Sequence, residues 1–133
     1  MNIKDIKFKA KRLDNGEWII GSFVVMKIPA LSKTTIGIVA AGGATLHEID
    51  TATVCQFTGL KDCEGNEVWE HDLLTKDGSV IYEVGYEGCG FKASIKGEDE
   101  FDLNLVAVCK YDCICGNKFD RKEGEKDDEE KNI

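Results

Sequence analysis

The sequence predicts a mainly β fold: short runs of β-branched and aromatic residues recur along the chain, glycine beside Asp, Asn or Glu punctuates them, and no helical apolar period lasts more than a few turns. In the opening segment Ile6, Phe8 and Ala10 alternate with Lys7, Lys9 and Lys11, and Asp14-Asn15-Gly16 supplies residues that tolerate positive φ. A hairpin is expected there, its return strand running over 18–26. Pro29 then interrupts pairing, 34–40 reads as a short strand, and Ala41-Gly42-Gly43-Ala44 reads as a turn or loop.

From residue 53 the pattern tightens. Strands are expected over 53–58, 68–75, 79–86, 91–95 and 103–115. The turns between them are Asp62-Cys63-Glu64-Gly65-Asn66, Asp77-Gly78, Glu87-Gly88-Cys89-Gly90 and Lys96-Gly97-Glu98-Asp99. Along 79–86, Val80, Tyr82 and Val84 share one face and Ile81, Glu83 and Gly85 the other, so one side meets a core and the other is mixed. This rhythm favours a small barrel or sandwich. After Asn117 the composition changes: residues 118–133 hold five bases, seven acids and only Phe119 and Ile133 as large apolar groups. That segment reads as a charged tail, frayed, disordered or a solvated helix from Arg121 onward.

A chain of 133 residues fits one domain with a core that needs no metal or disulfide staple. Its 25 acids against 17 bases, a formal charge of −8, repel phosphate backbones and anionic lipid on average. No stretch approaches the roughly 18 apolar residues of a membrane span, and Met1 to Ile6 lacks the apolar core of a signal peptide. A cytoplasmic protein is expected, with no membrane partner. Accordingly Cys55, Cys63, Cys89, Cys109, Cys113 and Cys115 read as free thiols. Within a strand over 103–115, Cys109, Cys113 and Cys115 would share one face. A zinc site needs a second ligand pair, and neither histidine is near in sequence, so buried apolar cysteines are expected rather than a metal.

Catalytic signals are weak. His47 and His71 are isolated, and His71 and Asp72 would point to opposite sides of an extended chain. Gly42-Gly43 is followed by Ala44-Thr45-Leu46-His47 rather than by the lysine and hydroxyl of a phosphate-binding loop. The carboxylates Glu67, Glu70 and Asp72, and Glu98, Asp99 and Glu100, sit among turns where hydration is their ordinary fate. Lys4, Lys7, Lys9, Lys11 and Arg12 beside Phe8 and Trp18 could grip phosphate and stack bases. Phe8, however, lies on the opposite face of the alternation from the lysines, which favours a plain polar face.

Two stretches go beyond pattern. The first is Ile6-Lys7-Phe8-Lys9-Ala10-Lys11-Arg12 followed by Gly16-Glu17-Trp18-Ile19-Ile20-Gly21-Ser22; the second is Thr53-Val54-Cys55-Gln56-Phe57-Thr58-Gly59-Leu60-Lys61-Asp62, then Gly65-Asn66-Glu67-Val68-Trp69-Glu70-His71-Asp72-Leu73-Leu74. With Cys113-Ile114-Cys115-Gly116-Asn117 they resemble the YopX family of small proteins encoded by temperate phages and prophages. The chain departs from that family at Glu70-His71-Asp72, where Glu-Gly-Asp is usual: either no positive φ is needed there or histidine bears it at a cost. It departs also at Cys115, where an aliphatic residue is common.

The resemblance implies a single domain over 1–117, with an N-terminal β region at 1–52 and an SH3-type barrel over 53–117. It implies no catalytic residue, and no cofactor or metal is expected. Gln56, Gly59, Leu60, Asp62, Gly65, Asp72, Gly116 and Asn117 are expected to be a structural signature. Gly59 and Gly65 would let the chain reverse, Asp62 would accept nearby amides, and Asp72 would cap the bend into Leu73-Leu74. The function expected is that of a non-enzymatic accessory protein binding a host or phage protein. The alternative is a nucleic-acid-binding small barrel, and self-association through open strand edges is a further expectation.

Overall fold

The computed structural model of the chain describes residues 2–120, built as two antiparallel sheets and one short helix. The mainly β expectation is met. β1 (Phe8–Lys11) and β2 (Trp18–Ile28) form the opening hairpin, Ala10 opposite Ile19 and Lys11 opposite Trp18. Its turn passes through Gly16 at φ 72°, a left-handed conformation that glycine adopts without a Cβ clash. β2 runs past Met26 and turns at Pro29–Leu31 into β3 (Lys33–Ala40), the two strands pairing from Gly21 opposite Ala40 to Ile28 opposite Lys33. β4 (Leu46–Glu48), β5 (Cys55–Lys61) and β6 (Glu67–Trp69) complete a six-stranded sheet in the order β4-β3-β2-β1-β5-β6.

The second sheet holds β7 (Asp72–Thr75), β8 (Ile81–Glu87), β9 (Gly90–Ile95) and β10 (Cys113–Asn117) in the order β10-β7-β8-β9. Neither sheet closes, so the pairing does not establish the SH3-type barrel expected over 53–117. β5 and β6, from that half, hydrogen-bond into the first sheet instead. Val68, Leu74, Val84, Ala93, Leu105 and Cys109 build one core; Ala10, Ile19, Ile38 and Ile49 build another; Cys55, Phe57 and Trp69 form a third cluster. On the second sheet Gly85 is buried under the ring of Phe101, which fills the space a Cβ would need.

Four expectations are corrected. Residues 103–115 are not one strand, because α1 (Leu105–Tyr111) occupies the middle. The Asn104 side chain accepts from Ala107 N at 3.2 Å, and Leu105, Val108 and Cys109 recur at helical spacing against the core. The three-cysteine strand face therefore does not exist: Cys109 is buried on the helix, whereas Cys115 is exposed on β10, so the core-thiol reading fails for it and for exposed Cys89. The run 68–75 breaks into β6 and β7 at His71, whose φ is 70°. Lastly, the thiols are not all free. Cys63 and Cys113 are disulfide-bonded with Cα atoms 5.6 Å apart, brought together because the turn after β5 abuts the start of β10.

Of the charged tail expected over 118–133, residues 121–133 lie outside the described residues. Among the described residues no helix is long and apolar enough to cross a membrane, and no group of three or more His, Cys, Asp or Glu is placed to hold a metal ion.

Candidate functional site

The seam between the sheets is held by two buried carboxylates. Asp62 accepts from Glu64 N and Asn66 N at 2.9 Å within its own turn, and from Ile114 N of β10 at 2.9 Å. Cys63 N adds a bond to Asp112 O at 3.3 Å beside the disulfide. Burial pushes the Asp62 carboxyl up, but the amides of Ile114, Asn66 and Glu64 outweigh it and hold it below the ordinary carboxylate value. Asp72 accepts from Trp69 N at 2.7 Å and from Asn117 Nδ2 at 2.9 Å. Its burial dominates, so its carboxyl lies above the ordinary value despite those bonds.

The signature residues gather along this seam. Gln56 N donates to Glu70 Oε1 at 3.3 Å, and Gln56 O accepts Glu70 N at 2.9 Å. Gly59 and Gly65 adopt φ of 84° and 87°, Leu60 packs on the second-sheet core, and the register of β10 shifts between Ile114 and Gly116. Asn117 Oδ1 accepts Phe119 N at 2.9 Å, seating Phe119 over the Cys55–Phe57–Trp69 cluster. His71 bears a positive φ of 70°, so of the two outcomes set out for Glu70-His71-Asp72 the histidine carries the left-handed conformation itself.

The lysines meet rings, though not the one nearest in sequence. Phe8 faces the other way and pairs with Phe23 at 5.5 Å. Lys9 Nζ lies 4.7 Å from the Trp18 ring and 5.1 Å from Trp69, Lys7 Nζ 4.7 Å from Phe57, and Lys11 Nζ 5.4 Å from Trp18. These ammonium groups are committed internally: Lys7 also pairs with Glu67 at 2.6 Å, Phe57 and Trp69 are buried, and Trp18 Nε1 donates to Asp120 at 2.6 Å. The alternation along β1 gave the lysine face correctly but said nothing of which rings β2, β5 and β6 would bring to it.

The histidines stand apart. His47 pairs with Ile38 on β4 near Asp14 and Glu48. His71 lies between Glu70 and Glu83, with ring nitrogens 3.7 and 3.8 Å from their carboxylates, and its buried Nδ1 has no hydrogen-bond partner. Burial raises the Cys55 thiol to about 12 and Cys109 to about 11, which leaves both protonated and unreactive near neutrality. A groove of about 430 Å³ runs beside β10, floored by Leu73 and Ile81 and rimmed by Glu83, Lys96, Lys118 and Asp120. Ala41–Ala44 form only the turn from β3 to β4.

Exposed apolar residues gather on the distal half of the β2–β3 hairpin. β1 accompanies β2 only as far as Gly21, and β4 accompanies β3 only over Gly37–Val39. Beyond them the hairpin is a two-stranded arm, on which Phe23 is 36%, Met26 45%, Val25 52% and Leu31 68% exposed. Residues 18–46 contain two lysines, Lys27 and Lys33, and no acid, in a protein whose net charge is −8. The two strands of this run were readable in the sequence; how far they extend past their neighbours was not.

The family model described as YopX protein matches residues 7–126, nearly the whole chain. The chain belongs to the YopX family. That match spans both sheets, the seam and the arm. No curated protein matches the chain.

Proposed function

We propose that this YopX-family chain is a phage- or prophage-encoded accessory protein that works in the host cytoplasm as a non-enzymatic protein-interaction module, with the β2–β3 arm as its binding surface. The observation that carries this reading is the arm itself: Phe23, Val25, Met26 and Leu31 are exposed on a ribbon that no strand or helix among the described residues covers. Grouped exposed apolar residues of this kind are the usual mark of a partner site. The histidines and buried thiols support the non-enzymatic half, since His71 is flanked by carboxylates rather than a nucleophile and Cys55 and Cys109 are held protonated. Affinity capture from a lysogenic host with the wild-type chain should recover a stoichiometric protein, and Met26→Glu should lose it while keeping the fold. Equal recovery by both would remove the arm from the reading.

A nucleic-acid-binding role is the alternative, drawing on Lys7, Lys9 and Lys11. Their engagement with Glu67 and with the rings of Trp18, Phe57 and Trp69 leaves less of them to offer a phosphate, which favours the protein-binding reading. Retardation of DNA or RNA at low salt, steeply weakened by added salt and abolished by glutamate at the three lysines, would reverse that preference.

A further inference from the structure

We propose that the arm pairs with a second copy of this chain, β2 against β2 in antiparallel register, with Val25 on the two-fold axis. The inference rests on the arm being a binding surface and names one occupant of its edge. Arg12 N donates to Glu17 O at 2.9 Å, and hydrogen-bonded pairs alternate along an antiparallel ladder. Following the register, odd-numbered residues of β2 aim their backbone groups at β1 and even-numbered ones at β3. β1 ends opposite Gly21, so the N–H and C=O of Phe23, Val25 and Lys27 face an edge that no described strand covers. The outer edge of β3 offers only Thr34 and Ile36 before β4 begins, which makes β2 the longer template.

The register follows from the side chains. An axis at Val25 uses all three open residues twice: Val25 bonds its own copy, and Phe23 bonds Lys27 of the second chain. It also sets the Lys27 ammonium beside a phenyl ring across the strands, an attractive contact. An axis at Lys27 would oppose two ammonium groups, and one at Phe23 would run into Gly21, already covered by β1. No carboxylate lies within 18–46 to be stranded in the joined ribbon. Glu48 of each copy, level with Val24 across β3, ends up about 24 Å from its counterpart across the five strand spacings between them. That exceeds the roughly 8 Å over which charges act in physiological salt. A two-stranded ribbon is marginal in water, and pairing turns it into four strands.

Sedimentation equilibrium of the full chain is expected to give twice the 14.7 kDa chain mass. Val25→Pro removes an outward N–H without touching the β3 ladder, so it is expected to return the single-chain mass with an unchanged circular dichroism spectrum. In a Cys89→Ser/Cys115→Ser background, Val25→Cys is expected to join two chains covalently under mild oxidation, since hydrogen-bonded antiparallel neighbours lie about 5.5 Å apart at Cα, within disulfide range. A single-chain mass at every concentration, a double mass that survives Val25→Pro, or no covalent dimer from Val25→Cys would each overturn the pairing. A chain that stays single yet captures a host protein through Met26 would sink the pairing and leave the binding reading standing.

Discussion

The two sheets spend their residues differently. The second sheet is short-stranded and bound at its edge: β10 is tied to the Asp62 turn by a disulfide and by the Ile114 amide, and to β7 through Asn117 and Asp72. The first sheet has its core at one end only. Past Gly21 and Gly37 its central hairpin outruns its neighbours and keeps apolar side chains in water. The contrast teaches that stabilising contacts are concentrated at the seam, where the signature residues lie, while the arm is held by little beyond its own ladder. A region with few buried contacts is where binding residues can change without unfolding the protein.

Substitutions sharpen that contrast. Leu74, fully buried in the second-sheet core, should lose about 3 kcal/mol of stability as Leu74→Ala, measured by urea unfolding. Reducing Cys63–Cys113, or replacing both with serine, should cost about 2–3 kcal/mol in the same measurement by freeing a long loop in the unfolded chain. Full stability in reductant would mean that the Asp62 bonds alone close the seam.

The seam carboxylates also make opposite contributions to acid stability. Asp62, held below its ordinary value, stabilises the fold above that value, and this contribution disappears as pH falls through its folded pKa. Asp72, held above its ordinary value, costs stability when ionised, and that cost is relieved as pH falls from its raised pKa toward the unfolded one. Unfolding free energy followed against pH should therefore fall less steeply on the acid side in Asp62→Asn and more steeply in Asp72→Asn. The same slope in both variants would contradict the assignment.

Smaller effects are expected elsewhere. His71→Gly should gain about 1 kcal/mol, because it removes a left-handed conformation from a residue with a Cβ. A loss instead would mean that the edge contact of the imidazole with Phe119, 5.1 Å between rings, is worth more than the strain. Leu31→Glu at the tip of the arm should shift stability by no more than about 0.5 kcal/mol. A core-sized loss there would erase the difference between the two regions.

Local chemistry made much of this legible. Asp14-Asn15-Gly16 marked the first hairpin, the alternation along 79–86 marked β8, and Asp62 with Gly65 marked a turn that the structure uses as written. The helix at Leu105–Tyr111 was missed because its valines suit a strand. Its signal was present in Asn104 as a cap and in the spacing of Leu105, Val108 and Cys109. The disulfide and the lysine–ring contacts depend on residues far apart in sequence, such as Cys63 with Cys113 and Lys9 with Trp69, which no local pattern pairs. The arm's exposure is likewise a matter of where neighbouring strands stop.

Phe119 packs on the cluster that holds Trp69 and takes Trp18 at its edge, the two indoles of the chain, and the Asp120 carboxylate takes the Trp18 Nε1 hydrogen. Intrinsic fluorescence is thus a label-free gauge of whether residues 118–120 stay seated. The distal hairpin, lacking any indole, contributes no emission of its own to that readout.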